Sequence, residues 1–442
     1  MAEPAWVEHA IWWQVYPLGF LDAPKEQLPL GLGVQHRLPA LEGWLDYLIE
    51  LGASGLLLGP IFEAASHGYD TVDYFSVDRR LGDTDDVDAL VAQAHARGIR
   101  VLLDGVFNHV GRDFPRFREA LRDGPTSPAA DWFHLQWPAT GLDEPDYEDF
   151  EGHRQLVALN HASPAVADFV VEVMCHWLDR GCDGWRLDAA YAVPASFWAA
   201  VLPRVRERHP DAYFMGEVIH GDYAEYVSET GLDSVTEYEL WKSIWSSLND
   251  GNLHELAWTM KRHDELLESF APFTFVGNHD VTRVASKLTD PRHLAHALAV
   301  LFTVGGTPCI YYGDEQGFRG IKEDRAGGDD AVRPAFPSEP GQLDPVGRPV
   351  FELHQILIGL RRRHPWLHQA RTSVDHLTND HCVYTSHGEG HELVVALNLA
   401  DEPATVPAPD VASVLAGECH ISPAGAETSI TVPAHGWAVL RG

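Results

Sequence analysis

Eight short apolar runs recur along the chain with helical patterns between them: Ile11–Tyr16, Gly55–Leu58, Arg100–Asp104, Gly184–Leu187, Tyr213–Gly216, Asp233–Glu237, Phe273–Val276 and Cys309–Tyr312. Runs of this length bounded by turn residues read as buried strands. Leu41, Trp44, Leu45 and Leu48 follow the i, i+3, i+4, i+7 spacing of one helical face and precede Gly52, and Val87, Leu90, Val91 and Ala94 do the same before Gly98. Ser163 followed by Pro164 predicts a capped helix start, with the end near Arg180 and Gly181. Eight strand and helix units predict an α/β fold, a closed TIM (β/α)8 barrel with right-handed crossovers. An open doubly wound sheet is the alternative. It is disfavoured by the count of eight and by the lack of a G-x-G-x-x-G or Walker-type loop after any early strand.

Two segments break the rhythm. Residues 111–160 are rich in Asp, Trp and Pro without helical period and are too long for an ordinary βα loop, which marks a functional excursion. After Leu367 the helical signal stops, and strand-like runs at His381–Thr385, Leu393–Asn398 and Ser429–Val432 predict a small β-sandwich. The expected division is a barrel of residues 1–110 and 161–366, an inserted excursion of 111–160 and a C-terminal sandwich of 367–442.

Charge and composition narrow the partners. The formal charge of −33 would repel a phosphate backbone, so nucleic acid is excluded as an expected partner. No apolar run reaches the roughly 18 to 20 residues that a bilayer span requires, and Ala297–Tyr312 is interrupted by Gly305, Gly306, Thr307 and Pro308. Met1–Phe20 holds no Lys or Arg, so a cytoplasmic location is expected. The five cysteines are scattered without C-x-x-C spacing and read as reduced and structural. Nothing in the sequence sets the oligomeric state.

In four places a strand run ends in an acid: Asp104, Asp188, Glu217 and Asp280. Strand C-termini form the catalytic face of a TIM barrel, so these four would converge on one pocket. Glycosidic cleavage with retention uses one carboxylate that attacks the anomeric carbon and one carboxyl that protonates the leaving oxygen, about 5 to 5.5 Å apart. Arg186 lies two residues before Asp188 on the same strand face, where its cation would keep the attacker ionised. Like-charge crowding by Asp188 and Asp280 would raise the pKa of Glu217 and fit it for proton donation.

These acids sit in motifs. Asp104-Gly-Val-Phe-Asn108-His109, Gly184-Trp-Arg186-Leu-Asp188, Gly216-Glu217 and Phe275-Val-Gly-Asn278-His279-Asp280 resemble, in order and spacing, the four motif regions of the α-amylase family of retaining glycoside hydrolases. The resemblance covers roughly Ala10 to Leu440. It implies Asp188 as nucleophile, Glu217 as general acid and base, and Asp280 as transition-state stabiliser. It also implies that His109 and His279 bind the sugar at the cleavage subsite. His67-Gly68-Tyr69-Asp70 resembles the second-strand motif, in which Tyr69 stacks on the reacting ring and Asp70 supports the arginine. Asp329 and Arg333 resemble an acid and an arginine that grip the next sugar, although their i, i+4 spacing also suits a surface ion pair.

The pattern departs from many amylases at the metal. Asp188-Ala-Ala-Tyr191 lacks the histidine whose carbonyl would bind calcium, and Gly19–Arg37 lacks a D-x-[DN]-x-[DN]-G loop. No cofactor is therefore expected, an obligatory calcium is not favoured, and Asn108 is expected to act as a strut. The chain enters its first strand almost at once, and neither an additional N-terminal domain nor a starch-binding module is expected. The implied substrate is a short linear or cyclic α-1,4- or α-1,6-linked gluco-oligosaccharide, with Trp132 and Trp137 as candidate stacking platforms. A transglycosylase using the same covalent intermediate is the alternative activity. A silent carbohydrate-binding scaffold is the alternative of another class, and the intact Asp188, Glu217 and Asp280 argue against it.

Overall fold

The computed structural model describes residues 3–29, 31–138, 144–325, 327–424 and 427–442. Eight parallel strands form one sheet: β1 (Trp12–Val15), β2 (Gly55–Leu58), β3 (Arg100–Gly105), β4 (Gly184–Leu187), β5 (Tyr213–Gly216), β6 (Ser234–Val235), β7 (Phe273–Phe275) and β8 (Thr307–Tyr311). The order is β6-β5-β4-β3-β2-β1-β8-β7. A parallel bridge between Thr236 and Phe273 brings the two ends together and makes the ring. The sixth run is shorter than the sequence predicts, because beyond Val235 it continues only as this bridge and single backbone bonds from Thr236 N to Gly216 O (3.0 Å) and from Glu237 N to Phe273 O (3.0 Å).

Side chains alternate along each strand, and the alternation separates two cores. Trp12, Leu57, Leu102, Tyr213, Met215, Phe273, Phe275 and Cys309 fill the barrel interior. Trp12 stacks on Tyr213 at 6.3 Å between centroids. Gly55 makes room for it, since a Cβ there would stand 2.3 Å from the Trp12 indole. Trp13, Val15, Leu56, Leu58, Val101, Leu103, Trp185 and Phe214 face outward into the larger core under the helices.

The helices carry the stripes the sequence shows, with local differences. The Leu41 stripe is split into helices Pro39–Glu42 and Leu45–Leu51, the break falling at Gly43 and Trp44, and Gly52 ends the second at φ 97°. Helix Thr84–Ala96 begins with a capping box between Asp83 and Asp86. Helix Pro164–Asp179 starts as predicted, but Ser163 does not cap it. The Ser163 hydroxyl donates instead to Asp131 Oδ2 at 2.7 Å, tying the helix to the excursion.

Within the excursion, helix Pro115–Asp123 is a correction to the expectation of no helical element. Its stripe consists of only Phe117 and Ala120, too short to register as a period. Strand His153–Ala158 pairs with His109–Gly111 and with Asp149–Phe150, so the excursion is anchored on the chain leaving β3. Residues 139–143 of the excursion lie outside the described residues.

At the C-terminus, Arg371–Leu377, His381–Gly388, His391–Asn398, Trp437–Arg441 and Ser413–Gly417 form one antiparallel sheet. Ala404–Pro407, Glu427–Val432 and His420–Ala424 form a second. Val383, Val394, Ala396 and Leu440 of the first pack on Val406, Ile430 and Val432 of the second. The fold is thus a (β/α)8 barrel with a C-terminal antiparallel sheet domain. No helix among the described residues is long and apolar enough to cross a membrane.

Candidate active site

Above the apolar layer the inward faces turn polar. Gln14, Asp104 and Arg186 stand two residues beyond Trp12, Leu102 and Gly184, and Asp188 and Glu217 follow where β4 and β5 end. Strand register aligns them, with Arg186 opposite Asp104 and Met215, and Leu187 opposite Gly216. Backbone bonds from Asp188 N to Gly105 O (3.0 Å) and from Glu217 N to Leu187 O (2.9 Å) carry the pairing up to the catalytic candidates.

Arg186 is the hub. One guanidinium nitrogen donates to both oxygens of Asp104 (2.7 Å each) and to Asp188 Oδ1 (3.1 Å), and the other lies 3.1 Å from Glu217 Oε1. Glu217 Oε2 accepts from the Ala189 amide (2.9 Å), and Oε1 accepts from Tyr238 (3.3 Å), which in turn accepts from Asn278 (2.9 Å). Asp280 belongs to the opposite wall. Its oxygens meet Arg333 (2.8 Å) and His279 (2.9 Å), and its amide donates to Asn278 (2.9 Å).

These contacts set the titration of the acids. Burial raises Glu217, and the nearby Asp188 and Asp280 charges add to the rise while Arg186 opposes it. Like-charge crowding is therefore the smaller contributor, which corrects the sequence-based account. Asp188 and Asp104 are raised by burial as well, with Arg186 pulling both back toward the ionised form. Burial would lift Asp280 too, but His279 and Arg333 hold it well below the usual carboxylate range.

A cavity of about 910 Å³ opens here. Asp188, Glu217 and Asp280 line it together with His67, Tyr69, His109, Asp329 and Arg333. Arg333 is no surface ion-pair partner, because it bonds the His279 carbonyl (3.0 Å) and pairs with both Asp280 and Asp329 (3.1 Å). His279, expected to bind the sugar, stands behind the lining, as do Asp70 and Arg186. The His279 ring runs parallel to those of Tyr16 and Tyr69, with Gln14 on Nδ1 (3.1 Å) and the Tyr69 hydroxyl and Asp280 at Nε2. Asp70 accepts from the Ser66 amide (3.0 Å) and hydroxyl (2.5 Å), so Asp104, not Asp70, supports the arginine.

His109 lines the cavity by its ring face, since Asn108 occupies Nδ1 (3.1 Å) and the Tyr69 carbonyl Nε2 (3.0 Å). Asn108 thus braces His109, and Asp104 receives the Tyr69 hydroxyl (3.2 Å) from beneath. Trp132 packs on Phe114 and Phe169, away from the cavity, and Trp137 does not line it either. Phe150, Glu151, His153 and Leu156 are the excursion's contribution.

Sequence reasoning passed over Tyr16, Glu151, Tyr191 and Tyr238. Tyr16 follows β1 directly and Tyr238 stands three residues beyond β6, so the strand-end rule that picked the acids reaches Tyr16 and comes close to Tyr238. Glu151 sits at φ 53° in a two-residue turn with Gly152 and accepts from Tyr191 at 2.9 Å, a long-range meeting with no local signal.

A barrel whose strand ends gather three acids on one arginine, two of them lining the cavity, and a fourth across that cavity has the site of a glycoside hydrolase. Residues 14–381 match the family model "Alpha amylase, catalytic domain", and residues 371–440 match "Domain of unknown function (DUF3459)". The chain belongs to the α-amylase family of glycoside hydrolases. It is 32% identical over 435 residues to a cyclomaltodextrinase of Geobacillus thermopakistaniensis, covering 92% of this chain and 71% of that one. It is 34% identical over 343 residues to an intracellular maltogenic amylase of Bacillus subtilis, covering 72% of this chain and 57% of that one. The cyclic α-maltosyl-(1→6)-maltose hydrolase of Arthrobacter globiformis, solved with that cyclic sugar, superposes with a TM-score of 0.83 at 27% identity, each chain fully covered.

Proposed function

We propose that this enzyme hydrolyses short linear or cyclic gluco-oligosaccharides with α-1,4 or α-1,6 linkages, with retention, through a glycosyl ester on Asp188. The observation that carries the reading is that Asp188 and Glu217 share the Arg186 fork while Asp280 faces them across one cavity. Glu217 donates its proton to the glycosidic oxygen as the C1–O bond breaks, and an Asp188 oxygen closes on C1 from the other side. Esterification removes the Asp188 charge and with it part of what raises Glu217, which then takes a proton from water. That water attacks C1 and releases Asp188 with an α-anomeric product. Asp280, kept ionised by His279 and Arg333, binds sugar hydroxyls and stabilises the developing positive charge.

Tyr69 offers its ring to the reacting sugar, and Asp329 and Arg333 hold the next one. The loop after β8 is joined to the loop after β1 by Lys25 and Asp330, which walls the cavity on one side and favours short ends or small rings over polymer. The names of the two relatives and of the structural neighbour support the substrate class and a cytoplasmic setting.

The test is incubation with maltotetraose, cyclodextrins, cyclic maltosyl-maltose, panose, trehalose and sucrose, with products and anomers followed by NMR. Shorter sugars appearing first as α-anomers are expected. β-Anomers first, or no turnover, would overturn the reading, and longer or rearranged products would turn it to transfer.

A further inference from the structure

Far from the cavity, the barrel meets the C-terminal sheets through a group of imidazoles. The turn Pro291–His293 leads into helix Leu294–Thr303, and His435 lies in the turn ahead of strand Trp437–Arg441. His293 Nε2 stands 3.0 Å from His435 Nδ1, and Asp290 Oδ2 stands 4.0 Å from the same nitrogen. The three ligand atoms all lie within 4.8 Å of one another.

His435 is held in an unusual way for a surface turn. Its backbone adopts φ 50°, which few non-glycine residues do, and its amide donates to Ala400 O at 3.0 Å. Its far nitrogen, Nε2, is 2.7 Å from Asp401 Oδ1. A carboxylate on the far nitrogen puts the proton there and leaves a lone pair on Nδ1, the arrangement that orients and strengthens a metal-bound histidine. Beside His293, ring to ring at 5.0 Å, the buried Nδ1 of His296 has no hydrogen-bond partner. Asp290 is clasped by Arg292, whose amide (2.9 Å) and Nε (3.0 Å) reach Oδ1 and whose Nε (3.0 Å) and Nη2 (2.6 Å) reach Oδ2, so a metal here takes Oδ2 in exchange for part of that clasp.

We propose that Asp290, His293 and His435 form a zinc site, with three protein ligands and a fourth position for water, that clips the barrel to the C-terminal sheets. Two imidazoles and one carboxylate suit a borderline divalent ion, and tetrahedral zinc at about 2.0 to 2.1 Å sets its ligands roughly 3.3 Å apart, close to the His293–His435 separation. The other such grouping among the described residues, His36 with Asp83 and Asp86, offers one imidazole, which is exposed, where this one offers two.

The experiment strips the full chain with chelator, adds Zn(II), removes excess by gel filtration, and reads retained metal by atomic emission and unfolding by calorimetry. One retained equivalent with a raised Tm is expected, and Co(II) in its place should show the strong visible absorption of a tetrahedral site. Asp401→Asn should weaken Zn(II) by about 10- to 100-fold. His435→Asn, which tolerates the left-handed backbone, and His293→Gln should abolish retention, while His36→Ala should leave it unchanged. No retained zinc in the wild-type chain, or retention undiminished in the Asp401, His293 and His435 variants, would overturn the proposal.

Discussion

Arg186 takes carboxylates from three strands, β3, β4 and β5, on one planar fork. Lysine offers a single point charge and cannot serve that geometry, so Arg186→Lys should lower kcat by at least about 100-fold, measured by steady-state kinetics on the best substrate. Glu217→Gln should cost about 10² to 10⁴ in kcat. With α-glucosyl fluoride, whose leaving group needs no proton, the first turnover should recover much of that loss. Asp188→Asn should abolish turnover yet stabilise the fold. The folded pKa of Asp188 is raised, so the folded chain binds the extra proton and wild-type stability falls as pH rises through and above the ordinary carboxylate range. The melting advantage of Asp188→Asn should therefore be present at pH 7.5 and shrink toward pH 4, and an advantage independent of pH would contradict the burial argument. At this scale the sequence was a good guide to the acids, because strand ends and motif order speak about single positions. It was a poorer guide to which residues line the cavity. Asp70, Arg186 and His279 spend their polar atoms on neighbours that only the folded ring brings near.

Helix starts show how a local signal is redirected by tertiary contact. Asp83 and Asp86 satisfy each other's backbone amides, and Asp83→Ala should cost about 1 kcal/mol in urea unfolding. Ser163 has the same sequence signature but reaches Asp131 in the excursion, an exposed acceptor that water can satisfy once the hydroxyl is gone, so Ser163→Ala should cost no more than about 0.5 kcal/mol. Pro164 alone suffices to start that helix. Strands β2, β4 and β5 could be read to the residue because both faces are buried and the apolar run is continuous. Helix Pro115–Asp123 and the Glu151–Gly152 turn could not, since a two-residue stripe and a left-handed glutamate carry little periodic information.

At the level of the whole molecule, the eightfold rhythm made the barrel legible, while the way the ring closes was not. Seven neighbouring strand pairs are ordinary ladders, and the eighth, between β6 and β7, rests on one bridge and on the Ser234 hydroxyl at the Ala271 carbonyl (2.7 Å). Hydrogen exchange should find the Glu237 amide the least protected among the barrel strands, and Ser234→Ala should speed its exchange further. The seam divides the chemistry. Asp188 and Glu217 ride on the arc from β3 to β5, whereas Asp280 and Arg333 ride on the arc of β7 and β8. Sugar held by both arcs would span that seam like the clasp of an almost closed bracelet, so bound ligand should slow exchange at the Glu237 amide more than at amides of the laddered strands.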